Sequence, residues 1–179
     1  MIGIIISVIA FIISIITFII TLLNYRNNRA SIVKMFFEQG DSLEQRKYRK
    51  LIYDFYKTNE SVKNNKEHFT SLLVENKETE EAAAAILAFY DLWGLLAYKK
   101  FLPFWTFDGA SGKTTKRMYK YLLPYIEYRQ QQELENEPEF GVLYAKYFTW
   151  LINKKAENDV KRKPCHCIKK EGANHEACA

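Results

Sequence analysis

No charged residue and no histidine precedes Arg26, and the apolar run from Ile2 to Leu23 is interrupted only by Gly3, Ser7, Ser14, Thr17 and Thr21. As a helix rising 1.5 Å per residue this run reaches about 33 Å, enough to cross a hydrocarbon core of about 30 Å. A cleaved secretory signal has a basic leading region, a shorter apolar stretch and a small-residue cleavage site, and none of these is legible here. The pattern predicts a transmembrane anchor over residues 1–25. Arg26, Arg29 and Lys34 follow the span and nothing basic but the α-amino group precedes it, so the N-terminus is expected outside and the rest in the cytoplasm, at the inner membrane. The next most apolar run, Ala82 to Leu102, carries Asp91, Lys99 and Lys100 and suits a core helix; the chain reads as single-pass.

The small residues of the span recur in alternating steps of four and three, so Gly3, Ser7, Ala10, Ser14, Thr17 and Thr21 form one stripe on an otherwise bulky helix. Such a stripe lets two helices approach closely and predicts a homo-oligomer through a left-handed seam. The competing reading is that each hydroxyl bonds back to its own helix.

Beyond the span the apolar positions keep a helical period, and alternating strand patterns are nearly absent. The expected fold is all-α, with one N-terminal transmembrane helix followed by a cytoplasmic bundle of about five helices over residues 26–157. The first helix continues to Gln39 and stops at Gly40. Ser42 and Gln45 form a capping box for a helix with Tyr48, Leu51, Ile52, Phe55 and Tyr56 on one face. A weaker segment spans about Glu60 to Asn76. Thr79 is the expected cap of a central helix from Glu80 to Leu102, with Pro103 beyond it. An aromatic connector, Phe101 to Phe107, leads to a loop over Asp108–Gly112. Helices are then expected from Thr114 to about Gln132, kinked or divided at Pro124, and from about Pro138 with Phe140, Leu143, Tyr144, Tyr147, Phe148, Leu151 and Ile152 facing inward.

The 179-residue chain is 48% hydrophobic and 26% charged, with seven Gly, four Pro, 12 Tyr and 12 Phe, which excludes collagen-like and wholly disordered classes. Its net charge of +5 is modest and no recognition module is legible, which argues against nucleic acid as a partner. The basic residues Arg26, Arg29, Lys34, Arg46, Lys47, Arg49 and Lys50 are instead candidates for contact with anionic lipid.

No complete catalytic signature is present, and the reading favours a non-enzymatic protein. The segment Gly109-Ala-Ser-Gly-Lys-Thr-Thr115 suggests a phosphate loop but fails on spacing, because Phe107 stands where that motif needs glycine. Gly112, Lys113 and Thr114 at a helix start remain a candidate anion-binding site, and the alternative reading is a membrane-tethered enzyme or binder of a phosphorylated ligand at the Gly109–Thr115 loop. All three cysteines lie in the basic tail, residues 158–179. There Cys165, Cys167, His175 and Cys178 offer four donors suited to tetrahedral zinc, the one cofactor the sequence suggests. His68 with Glu67 reads as solvated. Asp91, in the most apolar helix, needs a partner such as Arg117, Arg129 or a tyrosine hydroxyl if buried.

The order of features, namely a span, Arg29-Ala-Ser-Ile32, Ala88-Phe-Tyr-Asp-Leu92 and Tyr121-Leu-Leu-Pro-Tyr-Ile-Glu127, resembles the bacterial and phage family known as domain of unknown function 4760. The resemblance covers residues 1 to about 157 and leaves the Cys/His tail outside. It implies an anchored, helical cytoplasmic domain of unknown pathway, with a phage or defence setting, and brings no catalytic residues.

Overall fold

The helix begun by the apolar run does not stop at the end of that run. In the computed structural model, which describes residues 2–138 and 143–161 and side chains of 11–138 and 143–159, α1 is unbroken from Ile2 to Gly40. Six α-helices and one 3₁₀ turn, with no strand, make up the described residues. The large apolar side chains from Phe11 to Leu23 are exposed along their length, whereas Phe36 on the same helix is only 4% exposed. Phe36 packs against Trp93 at 5.2 Å and Phe107 at 5.1 Å between ring centroids. Burying one such ring contributes about 1.5–3 kcal/mol. One continuous rod therefore carries an unburied apolar half, long enough to cross a membrane, and a half that belongs to the packed domain.

Helix α2, Leu43–Thr58, starts at Ser42, whose hydroxyl accepts from the Gln45 amide at 3.2 Å. Only half of the expected capping box forms: the Ser42 amide is donated to Gln39 O in the last turn of α1, and Gln45 Oε1 is buried with no donor. Arg49 Nη2 donates to Gly40 O at 2.7 Å and caps the end of α1 from the next helix. Helix α3, Lys66–Glu75, is shorter than expected because Asn65 caps it.

The central helix α4, Lys77–Tyr98, is displaced one turn from its expected limits. Asn76 Oδ1 accepts from the Thr79 amide at 3.1 Å, so Asn76 is the cap and Thr79 is buried inside the first turn; Asn serves as well as Thr in this position. At the other end Lys100 adopts a φ of 64°, and the amides of Phe101 and Leu102 both turn back to Leu96 O. That closure stops the helix before Leu102 and returns Leu102 and Phe107 to the core, where each is at most 1% exposed. Ala82, Ala83, Ile86, Leu87, Tyr90, Trp93, Gly94 and Ala97 of α4 are buried, which accounts for its apolar character without a membrane.

After the 3₁₀ turn Phe104–Phe107, the expected loop at Asp108–Gly112 is already helical: α5 runs from Gly109, with φ 63°, to Asn136 without division at Pro124. The proline removes one helical hydrogen bond, and the packed faces on either side hold the helix together. Helix α6, Lys146–Lys161, opens after Ala145 at φ 53°. Phe148 and Leu151 are fully buried as expected, but Leu143 is 46% exposed; Phe140 lies outside the described residues. A Cβ on Gly94 would lie 2.5 Å from Tyr147 O, so α4 and α6 cross at a distance only glycine permits.

Helix α4 runs antiparallel to α1. Phe89 meets Gly40, Trp93 meets Phe36, and Phe101, just past the end of α4, shares a cavity with Tyr25, Arg29 and Ile32. The C-terminal end of α4 thus points toward the apolar half of α1, and Glu80 lies at the opposite pole.

Candidate functional site

At that far pole, α4 contributes Glu80, Glu81, Leu87 and Asp91 to a cleft of about 540 Å³, faced by Tyr125 and Arg129 of α5 and by Tyr144 before α6. The turns of α4 and α5 set these residues on facing sides. Tyr125 donates its hydroxyl to Glu80 Oε1 at 3.4 Å. Arg129 stacks over the Tyr144 ring at 5.6 Å and reaches Glu133 at 3.4 Å, while its buried Nε has no acceptor among the described residues. Gln130 Nε2 fixes the Tyr144 carbonyl at 2.9 Å.

Burial pushes the Tyr125 phenol far up, helped by the neighbouring Tyr144, and burial raises Tyr144 in spite of Arg129. Both phenols therefore stay protonated near neutral pH and act as hydrogen-bond donors. The cleft holds donors, carboxylates and an apolar floor, which is the chemistry of binding. The cleft is not legible in the sequence, because its members are up to tens of residues apart; the signal present is two acids opening an apolar helix.

Asp91 does not pair with Arg117 or Arg129. Its Oδ1 accepts from the amides of Tyr147 at 2.7 Å and Phe148 at 2.9 Å, capping α6 from another helix. Arg117 instead stacks over Tyr53 at 5.7 Å. His68 is exposed, as expected, with its amide donated to Asn65.

Gly112, Lys113 and Thr114 are turned in three directions. Gly112 is buried beneath Lys155, Lys113 is exposed, and Thr114 lines a cavity of about 240 Å³ with Gly40, Arg49 and Tyr90. The structure places a residue that sequence reasoning missed over this helix start. Lys155, whose side chain is 8% exposed, bridges Asp108 at 3.4 Å and Asp159 at 3.7 Å, and Asp159 also pairs with Lys116. The glycine spacing of the first turns of α5 was the available clue to so close an approach.

In the span, Thr17 and Thr21 donate to Ile13 O at 2.9 Å and Thr17 O at 2.8 Å. Gly3, Ser7 and Ala10 lie where side chains are not described, and Cys165, Cys167, His175 and Cys178 lie outside the described residues. Among the described residues no group of metal-binding side chains gathers. Of the candidate lipid contacts, Arg46 pairs with Asp41, Lys47 with Glu78 and Arg49 with Gly40 O. These three cluster around the Gly40 end of α1, about 20 Å along the helix from Arg26.

The chain matches no family model, no curated protein and no solved structure.

Proposed function

We propose that this protein is a single-pass membrane protein of the interaction or regulatory type, N-terminus outside, which holds a helical binding domain in the cytoplasm. The observation that carries the reading is the division of α1: the large apolar side chains from Phe11 to Leu23 are exposed, while Phe36 of the same helix lies in the core. A rod rooted at both ends transmits orientation, so the domain is presented with the Glu80–Arg129–Tyr144 cleft directed away from the bilayer. The basic flank supports this orientation. The segments behind the proposed kinship with the phage and bacterial family fall on α1, α4 and α5, the helices that build this arrangement.

The test uses the native thiols, all of which lie in the C-terminal tail. The protein should resist alkaline carbonate extraction, and a membrane-impermeant maleimide should label it only after the cells are permeabilised. Release by carbonate, or labelling of intact cells, would overturn the anchor or its orientation respectively. An N-terminally shortened chain in intact-mass measurement would identify a signal sequence instead.

Self-association through Gly3, Ser7, Ala10, Ser14, Thr17 and Thr21 belongs to the same proposal. Back-bonding of Thr17 and Thr21 satisfies their hydroxyl donors, so a partner helix is needed for close packing alone. Ser14→Ile should lower the cross-linked dimer fraction in membranes several-fold while leaving carbonate resistance intact; an unchanged dimer fraction would count against the seam.

A further inference from the structure

We propose that the connector following α4 is a second membrane contact, in which Phe101 and Arg29 seat the headgroup of an anionic phospholipid. The inference rests on the anchor reading and adds to it a lipid site on the domain.

Four observations carry it. Phe101 is 53% exposed and closes a cavity of about 390 Å³ with Tyr25, Asn28, Arg29, Ser31 and Ile32 of α1. Arg29 lies about 9 Å beyond Leu23 along the helix, and side chains on a helix lean toward its N-terminus, here toward the bilayer. Its Nε is buried and finds no acceptor among the described residues, so this guanidinium edge lacks the partner that a phosphate oxygen would supply. Finally, no carboxylate side chain occurs from Met1 to Phe37 or from Leu92 to Phe107, while Arg26, Arg29, Lys99 and Lys100 all belong to these stretches.

The local backbone explains how the connector is held. The positive φ of Lys100 and the paired amides of Phe101 and Leu102 on Leu96 O fix the turn. Leu102 is drawn into the core, and Tyr98 packs on Trp150 at 5.2 Å. Lys99, Lys100 and Phe101 remain exposed on the outside of that turn. Aromatic and basic side chains together favour the headgroup layer, and each Lys or Arg close to an anionic surface adds to the attraction.

The experiment places a reporter at the turn. Full-length Phe101→Trp protein is reconstituted in vesicles of phosphatidylcholine alone or mixed equally with phosphatidylglycerol, each with chains brominated near the carbonyl end. The parent chain has three tryptophans, so about a quarter of the variant's emission should become quenchable beyond the parent's. Quenching should be stronger with phosphatidylglycerol, fall on adding Arg29→Gln, and be unaffected by inorganic phosphate, which distinguishes a lipid from a free anion. A variant that resists carbonate extraction but shows no quenching beyond the parent would overturn the lipid site and leave the anchor standing. Release by carbonate would overturn both. Loss of the added quenching in inorganic phosphate would assign the cavity to a soluble anion.

Discussion

Gly112→Ala is expected to destabilise the domain by roughly 3 kcal/mol, at the upper end of overpacking effects. A Cβ there would lie 1.9 Å from Phe107 O and 2.5 Å from Lys155 Cε. The carbonyl belongs to the turn that aims Phe107 into the core, so it has little freedom to retreat. Lys155 is held by Asp108 and Asp159, and moving it would separate a nearly buried cation from its partners. For a chain of this size the loss corresponds to a fall in Tm of about 6–12 °C. Thermal unfolding of the full-length protein in detergent measures it, with Gly40→Ala as the comparison. The added methyl at Gly40 would meet Phe89 at 3.5 Å, an ordinary contact, so that variant should unfold close to the parent. Equal Tm values for the two variants would contradict the packing of Lys155 over α5.

Asp91→Ala should cost about 2–4 kcal/mol, because it removes two charge-assisted hydrogen bonds and leaves the Tyr147 and Phe148 amides without their acceptor. The carboxylate also faces the positive end of the α6 dipole. Asp91→Asn retains an oxygen acceptor and loses the charge, so its loss should be near 1 kcal/mol. Denaturant unfolding of the three proteins, followed by near-UV circular dichroism, checks the ranking. Because Asp91 also lines the cleft, a different result is informative: Asp91→Ala with parental stability would show that its main task lies in binding. The expected ranking instead makes it a positioning residue that holds α6, and with it Tyr144, against α4.

These two residues show where sequence reasoning succeeds and fails. Asp91 is conspicuous as a carboxylate in an apolar helix, and the need for a partner follows from its setting. The partner does not, since backbone amides 56 and 57 residues away carry no side-chain signature. Thr79 is a sound cap by type, yet Asn76, equally suited and one turn earlier, takes the role once α3 and α4 share it. The Asp108–Gly112 segment has the composition of a loop, but its glycines serve a positive φ and a close crossing within a helix start. The cleft was not legible, because facing side chains from α4, α5 and the turn before α6 share no local period.

The all-helical class, the long apolar N-terminal helix and most of the buried faces of α2 and the last helix are legible in the order of residues alone. Those properties follow from the partition of side chains between water and an apolar phase at a helical period, which is local information. Where the polar groups find their partners follows from helix packing instead: Asp91 on α6, Arg49 on the end of α1, and Lys155 between Asp108 and Asp159. A hydrogen bond is satisfied by whichever complementary group packing delivers within about 3 Å, and that delivery depends on the crossing of helices distant in the chain.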